Sequence, residues 1–153
     1  MNYRRNNDLN YYNKYPDYAN CGSYALRLEG WYDPEDYFCE INGDINEWAE
    51  QMVETHSEYE VANIYAETLI EGMLKEFKGE LRLINNYSEA KPDEEIILFC
   101  TFCGGWGYYD FHFKVFRDGK WMEKNGIDMV HETREDNWGE YISDVWCLAH
   151  KYK

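Results

Sequence analysis

The stretch that decides the fold of this chain is Asn20-Cys21-Gly22-Ser23-Tyr24-Ala25-Leu26, which sets a cysteine at the start of a helix. Asparagine is a favoured N-cap residue because its side chain accepts a hydrogen bond from a free backbone N–H of the first turn. The apolar residues that follow recur at helical spacing as far as Gly30, which favours the end of a helix. The sequence therefore predicts a helix from Cys21 to Glu29, with the thiol in its first turn.

A second stretch, Tyr109-Asp110-Phe111-His112-Phe113, lies in a segment with the period of a β-strand. From Tyr108 to Phe116 apolar and polar side chains alternate, so His112 is expected on the face opposite the aromatic residues. Asp118-Gly119 is typical of a two-residue hairpin turn, and Lys120 to Lys124 would form the returning strand. The sequence thus predicts a β-hairpin that carries an imidazole on its more polar face.

The hairpin turn also predicts which residues lie beside His112. If Arg117 pairs with Lys120 next to the turn, the register of the whole hairpin follows. His112 then faces Asn125 and lies diagonally from Glu123, and such neighbours are about 5 Å and about 7–8 Å away. Both Glu123 and Asn125 are therefore candidates to orient the histidine ring.

Cys21 and His112 are the residue types of a nucleophile and its general base. A thiol attacks as the thiolate, and a helix N-terminus and a nearby imidazolium both lower its pKa, from about 8.5 to roughly 3.5–7.5. The histidine later gives the proton to the leaving group, while a third polar residue fixes its tautomer. Free N–H groups of the first helical turn, those of Cys21 and its neighbours, are placed to stabilise an oxyanion. The pair predicts nucleophilic catalysis if the fold brings the two residues together.

Other interpretations of the cysteines and histidines stay open at this point. An isolated cysteine is usually a small buried apolar residue, and a strand histidine is more often structural. Cys100 and Cys103 form a Cys-x-x-Cys pair, which also occurs at zinc and redox sites. A zinc site needs a second pair of ligands, for which only the scattered Cys147 and His150 are available, and a redox pair should open a helix. We therefore expect no metal and no cofactor.

Between the two motifs, the sequence pattern predicts mostly helices. Ser57 and Glu60 match a capping box, which opens a helix. Apolar residues then recur at three- and four-residue steps, which indicates a buried stripe: Val61, Ile64, Tyr65, Leu69, Met73 and Phe77. In chain order the sequence predicts an irregular arm at 1–19, a loop at 31–44, a short helix at 46–56 and a longer helix that ends at Gly79.

Further strands are predicted around the hairpin. In chain order they are strands at 80–84, 96–103 and 141–150, with polar loops at 85–95 and 126–139. A chain of 153 residues suffices for one domain with a real core, so we expect a single domain over residues 1–153.

Composition argues against several classes of function. A net charge of −15 repels phosphate backbones, so we expect no nucleic-acid partner, whereas a basic partner suits this charge. No apolar run reaches the roughly 20 residues of a membrane span, so we expect no membrane partner, and the first residues lack the apolar part of a secretory signal. We therefore expect a cytoplasmic protein whose five cysteines are reduced. Its oligomeric state does not follow from the sequence.

Both motifs resemble a family of phage and bacterial proteins in the papain-like cysteine hydrolase group. Residues 20–26 resemble its Asn-Cys-x-x-Tyr-Ala-Leu signature, and Asp110-Phe111-His112-Phe113 resembles its Asp-aromatic-His-aromatic signature. Further on, the family's Asp-Gly-x-Trp and Lys-x-Gly resemble residues 118–121 and 124–126. The motifs follow one another in the same order.

The resemblance implies an α+β, papain-like fold in which N-terminal helices pack on an antiparallel β-sheet. It also implies that Cys21 is the nucleophile on a helix and His112 the base on the sheet. The family pattern has a histidine before the lysine of Lys-x-Gly, where this chain has Glu123. The third residue therefore stays open between Glu123 and Asn125.

Two functions are compatible with these features. The first is a cysteine-dependent hydrolase, a papain-like peptidase or amidase, which cleaves an amide, peptide or isopeptide bond of a peptide or protein substrate through an acyl-enzyme. The alternative is a phage-type acidic binding or inhibitory protein, which keeps the fold and blocks a host protein without catalysis. For a phage-encoded protein the cytoplasm would be that of the host.

Overall fold

The computed structural model describes residues 3–153, and its helices lie mostly in the first half of the chain. They are α1 Tyr11–Lys14, α2 Cys21–Leu26, α3 Glu35–Asn42, α4 Ile45–Met52 and α5 Glu58–Glu76, with short 3-10 turns at Pro16–Tyr18 and Tyr87–Glu89. None of the helices in the described residues is both long enough and apolar enough to cross a membrane.

The second half of the chain forms one six-stranded antiparallel sheet with the strand order β1-β6-β2-β3-β4-β5. The strands are β1 Leu81–Leu83, β2 Glu94–Gly105, β3 Tyr108–Arg117, β4 Lys120–Lys124, β5 Val130–Glu132 and β6 Trp146–Lys151. Helix α5 packs on the central strand β2, and α2 packs on β3. The prediction of an α+β fold with N-terminal helices on an antiparallel sheet is confirmed.

The N-terminal arm is more ordered than the sequence predicts. Beyond residues 1 and 2, which lie outside the described part of the chain, it forms α1 and a 3-10 turn, and Arg5 bridges to Leu28. The fully buried Tyr12 donates a hydrogen bond to the carbonyl oxygen of Leu28 at 2.9 Å. Because this tyrosine supplies apolar surface to the core, the arm is part of the packed domain.

The predicted loop at 31–44 is wrong, because most of it forms helix α3. Pro34 takes the N-cap position, where a missing backbone N–H breaks no helical bond, and Gly43 ends the helix with a φ of 78°. Phe38 anchors the helix by edge-to-face contacts with Trp48 and Tyr65. The two residues that suggested a loop are instead the two ends of a helix.

Helix α5 agrees with the sequence, whereas α4 ends at Met52, four residues before the predicted end at His56. Asp44 caps α4 by accepting a hydrogen bond from the backbone N–H of Glu47. Ser57 and Glu60 form the predicted capping box at the start of α5. All of the predicted stripe is buried except Ile64, which is partly exposed, and the glutamates of the opposite face are exposed: Glu60, Glu67, Glu71 and Glu76.

The hairpin of β3 and β4 has the predicted register but a shorter ladder. Arg117 pairs with Lys120, and the pairing stops at Val115 with Met122. The predicted pairing of His112 with Asn125 is therefore absent, because the two strands diverge beyond Met122. Helix α2 contacts both strands. Cys21, the first residue of α2, meets β3 beyond this point, where its Sγ lies 3.9 Å from the carbonyl oxygen of Phe111.

Helix α2 is shorter than the predicted span to Glu29. It ends at Leu26 because Arg27 adopts the left-handed conformation, with a φ of 57°. The Arg27 guanidinium forms a two-bonded ion pair with Glu95, at 3.0 and 2.8 Å, and Arg117 binds the same carboxylate. All three side chains are buried, so the two arginines fix the end of α2 to the sheet.

Two further boundaries differ from the sequence predictions. The loop predicted at 126–139 contains the short strand β5, and the last strand begins at Trp146 rather than at Tyr141. Residues 141–145 cross the sheet instead, because the backbone N–H groups of Ile142 and Ser143 both donate to the carbonyl oxygen of Thr101. This crossing segment carries Tyr141 over the polar face of β3.

Candidate active site

Cys21 is the first residue of α2, and its position is fixed by Asn20. The Asn20 side chain accepts a hydrogen bond from the backbone N–H of Ser23 at 3.0 Å, as the sequence predicts for an N-cap. Its amide group also donates to the carbonyl oxygen of Tyr32 at 2.7 Å. Asn20 therefore both opens the helix and holds the following segment beside the thiol.

The glycine that follows Cys21 is required by close packing. A Cβ atom at Gly22 would lie 2.7 Å from Cδ2 of Tyr32 and 3.1 Å from Cε2 of Phe113. The backbone of α2 therefore lies directly against the rings of Tyr32 and β3. This contact brings the thiol to the strand that carries the histidine.

The Cys21 thiol lies against the backbone of β3. Its Sγ is 3.9 Å from the carbonyl oxygen of Phe111, to which it donates. Burial raises the pKa of the thiol to about 12, although backbone N–H groups, first that of Phe113, oppose this shift. The predicted lowering of this pKa is wrong. Cys21 is only 7% exposed, and the loss of solvent around the thiol raises its pKa by more than the N-terminus of the six-residue helix lowers it.

The carboxylate of Glu123, on strand β4, forms a hydrogen bond with the His112 ring. Its Nε2 lies 2.9 Å from Oε1 of Glu123, and the other oxygen of Glu123 lies 2.8 Å from Nε2 of His131. Burial raises the pKa of Glu123, but hydrogen bonds from His112 and His131 and the charges of His112 and Lys114 outweigh it and lower this pKa to about 2. An ionised carboxylate only accepts, so Nε2 of His112 carries the proton and Nδ1 is the basic nitrogen of the neutral ring.

Aromatic side chains fix the plane of the His112 ring. Tyr141 stacks on it, with ring centres 5.4 Å apart and planes inclined by 23°. Trp138 contacts it edge-on at 6.0 Å. The sequence reasoning missed both residues, because they belong to a segment predicted as loop and strand and reach His112 only through the crossing over the sheet.

Cys21 and His112 line one cavity of about 430 Å³. The cavity is lined by Asn20, Cys21, Trp31, Tyr32, Asp33, Glu35, Asp110, Phe111, His112, Asn125, Gly126 and Tyr141. The structure thus brings together the predicted nucleophile, the predicted base and Asn125, with Glu123 behind the base. Of the two candidates for orienting the ring, Glu123 bonds to His112, whereas Asn125 contributes to the cavity wall.

Lys124 joins separate segments around the cavity by hydrogen bonds to their backbone, and the sequence does not predict this contact. Its fully buried ammonium group donates to the carbonyl oxygens of Pro16, Ala19 and Gly126. Ala19 precedes the cap of α2, and Gly126 lines the cavity. Pro16 and Ala19 lie 108 and 105 residues before Lys124 along the chain, so the Lys-x-Gly motif gives no local signal of these two contacts.

Three carboxylates stand in the wall of the same cavity. They belong to Asp33, Glu35 and Asp110, and no Lys or Arg is among the lining residues. Burial and the neighbouring charge of Asp33 raise the pKa of Glu35 to about 7, although a hydrogen bond from the Tyr65 hydroxyl at 3.0 Å opposes this. The cavity is therefore strongly acidic beside the thiol.

Cys100 and Cys103 do not form a pair. They stand three positions apart on one strand, so their side chains point to opposite faces of the sheet. Cys100 contacts Ser143, whereas Cys103 belongs to the core under the helices. All five cysteines of the described chain are free thiols, and within residues 3–153 no group of three His, Cys, Asp or Glu side chains is arranged to hold a metal ion.

Comparison with models of known protein families, with curated proteins and with solved structures finds no match for this chain.

Proposed function

We propose that this protein is a papain-like, cysteine-dependent hydrolase that cleaves an amide, peptide or isopeptide bond. The observation that carries the proposal is that Cys21 and His112, which lie far apart in the sequence, line the same cavity. The ring is held through Nε2 by Glu123, so Nδ1 is the nitrogen available to a proton from the thiol. Nucleophile, base and orienting carboxylate form the three-residue arrangement that cysteine nucleophiles use.

The raised pKa of the thiol decides how the first step runs. Because the thiol is neutral at rest, it transfers its proton to Nδ1 of His112 while Sγ bonds to the substrate carbonyl carbon. The carbonyl electron pair moves to oxygen, which the backbone N–H groups of Cys21 and Gly22 stabilise. Glu123, 2.9 Å from Nε2, stabilises the imidazolium that forms.

The remaining steps return the site to its starting state. The imidazolium of His112 gives its proton to the leaving nitrogen as the C–N bond breaks, which leaves a thioester on Cys21. Nδ1 then removes a proton from a water molecule, whose oxygen bonds to the thioester carbon. The C–S bond breaks, the acid product leaves, and the proton returns to the sulfur.

The proposal is tested with a peptide-based electrophile, such as a peptide vinyl sulfone, and mass spectrometry of the adduct. Wild-type protein should form one adduct on Cys21, and His112→Ala should slow its formation by about 10²-fold or more, in line with general-base contributions. Cys21→Ala should form none. Modification of the exposed Cys39 at the same rate as Cys21 would contradict the proposal.

A second function is favoured by one observation, the burial of the thiol. If the neutral Cys21 is structural, the chain acts as an acidic binding or inhibitory protein, and the exposed glutamates of α5 are the contact surface. Cys21→Ala then keeps function, whereas Glu67→Lys with Glu71→Lys abolishes binding. Loss of function in Cys21→Ala, with the α5 variant unaffected, excludes this alternative.

We propose the cytoplasm, of the host if the chain is phage-encoded, as the compartment. The five free thiols suit a reducing environment.

A further inference from the structure

The carboxylate of Glu123 contacts a second histidine in addition to His112. Its Oε1 lies 2.9 Å from Nε2 of His112, and its Oε2 lies 2.8 Å from Nε2 of His131. Glu123 and His131 are directly opposite each other in the ladder of β4 and β5, so their side chains leave the same face of the sheet. The pairing of these two strands therefore places His131 beside the carboxylate.

Both ring nitrogens of His131 face groups that only accept hydrogen bonds. Nε2 faces the Glu123 carboxylate, whose pKa is lowered to about 2 and which is therefore ionised. Nδ1 lies 3.2 Å from the carbonyl oxygen of Met129. A neutral imidazole has a proton on only one nitrogen, so it can donate to one of these two groups and not to both. The contacts of this structure are therefore those of the His131 imidazolium.

The Glu123 carboxylate depends on these side-chain contacts for its orientation. Strand β4 no longer pairs with β3 beyond Met122, so no backbone bond joins it to β3 at this level. The charge of Lys114 also acts on Glu123, but the hydrogen bonds of its ammonium group go to backbone carbonyl oxygens of the loop after β5. Among residues 3–153, the hydrogen bonds of the Glu123 side chain go to the two histidines.

Other charged groups near His131 along the chain already have partners, which leaves Glu123 as its counterion. These pairs are Glu132 with Lys120 at 3.8 Å and Arg134 with Asp136 at 3.2 Å, while the charge of Asp128 acts on Lys124. The His131 side chain is 43% exposed, so it exchanges its proton with solvent, whereas Glu123 is only 12% exposed. The pH of the solvent can therefore change the charge on one side of this carboxylate.

We infer that His131 is a positioning residue that regulates the proposed base: as the imidazolium, it holds the Glu123 carboxylate and offsets part of the negative charge that acts on His112. When His131 loses its second proton, the hydrogen bond to Met129 and this offset are both lost. Glu123 then stabilises the imidazolium of His112 more strongly. The inference rests on the proposed hydrolase function only for its effect on cleavage, because the contacts of Glu123 with both histidines exist without a substrate.

The first experiment uses the full chain without a substrate. NMR of isotope-labelled histidine side chains distinguishes protonated from bare ring nitrogens. At about pH 6.5, the ratio of protonated to neutral His112 should rise about threefold in His131→Ala, in line with the strength of a partly exposed ion pair. His131→Lys keeps a cation and should stay near the wild type. His56→Ala, which removes a histidine bonded to Thr55, is the matched control. An unchanged ratio in His131→Ala overturns the inference.

The second experiment measures kcat/KM against pH with one peptide substrate. Activity requires neutral His112, so His131→Ala should move the acid limb of the profile upward by about 0.5 pH unit, and His131→Lys should move it less. A profile that is lowered without a moved limb indicates a merely structural role, overturns the inference and leaves the hydrolase function intact. If the NMR ratio changes as expected while the wild type cleaves no peptide and forms no adduct on Cys21, the hydrolase function fails and the control of His112 by His131 stands.

Discussion

Glu123 holds His112 through a hydrogen bond of 2.9 Å, and its second oxygen is shared with His131 at 2.8 Å. The carboxylate sits on β4, the strand that has already separated from β3 at this level. Its side chain spans the gap between the diverging strands. The orientation of the proposed base therefore depends on side-chain contacts, with Glu123 and with the rings of Tyr141 and Trp138, rather than on pairing between β3 and β4.

We expect Glu123→Ala to lower kcat by roughly 10²–10⁴-fold, with a much smaller effect on KM, because the ring loses both its tautomer control and the charge that stabilises the imidazolium. Glu123→Gln keeps a hydrogen-bond acceptor and should lose less. Glu132→Ala, on the neighbouring strand and exposed, is the control. Steady-state kinetics with one peptide measure all three. Equal losses in the Ala and Gln variants would mean that a neutral acceptor contributes nothing, and wild-type activity in Glu123→Gln would mean that the charge is not used.

Glu123 should also make the fold sensitive to acid. Its pKa is lowered to about 2, so its stabilising contribution is complete above the unfolded value of about 4.5 and is lost as the pH falls from there towards 2. Glu123→Gln should therefore cost about 1–2 kcal/mol near pH 6, discounted for partial exposure, and this difference should shrink below pH 4. Urea unfolding at several pH values, with Glu132→Gln as control, measures it. A difference that stays constant down to pH 2 contradicts the assignment.

Lys124→Met should lower the free energy of unfolding by about 2–4 kcal/mol, because three buried carbonyl oxygens lose their donor. Lys120→Met, four positions earlier and exposed, should change it by less than about 0.5 kcal/mol. Denaturant unfolding gives both values. Similar values for the two variants would show that the buried ammonium group does not hold the arm and the cavity wall.

The reactivity of Cys21 should depend on the reagent. With a pKa of about 12, the thiol should react slowly with iodoacetamide at pH 7, and the rate should rise about tenfold per pH unit up to pH 10. A peptide electrophile that fills the cavity should react far faster, because His112 then takes the proton. Peptide mapping separates Cys21 from the exposed Cys39. Rapid labelling by iodoacetamide that is flat from pH 6 to 9 would instead indicate a preformed thiolate.

Gly22→Ala tests the packing of α2 without reference to catalysis. The new methyl group would lie 2.7 Å from Tyr32, so the helix or the ring must move. We expect a loss of about 1–3 kcal/mol in the free energy of unfolding, although alanine is the better helix former. An unchanged or higher stability would show that the close contact with Tyr32 does not exist in solution.

Sequence reasoning succeeded where the cause is local. Asn20 caps α2, Ser57 and Glu60 form their box, and the turn at 118–119 sets the register of the hairpin, because each depends on residues within one turn. The helix at 35–42 was missed because Pro34 and Gly43 were taken as marks of a loop, although both residues are also common at helix ends.

The sequence predicted where Cys21 and His112 lie in the fold, but not the electrostatics of the cavity that they line. The positions of Cys21 and His112 followed from motif and strand parity. The high pKa of the thiol did not, because it arises from burial of the side chain in the folded domain. The contacts of Lys124 with Ala19 and of Tyr141 with His112 are equally non-local, and no short pattern encodes them.

The hydrogen bond from Lys124 to the carbonyl oxygen of Ala19 has a consequence for the newly made protein. Cys21 leaves the ribosome early. The strand that carries His112, and Lys124, which binds the residue before the cap of α2, follow about a hundred residues later. A nascent or truncated polypeptide that stops before β3 thus has a thiol with neither the proposed base nor the lysine that fixes the start of its helix. The proposed chemistry therefore requires that the last third of the chain has been made and folded.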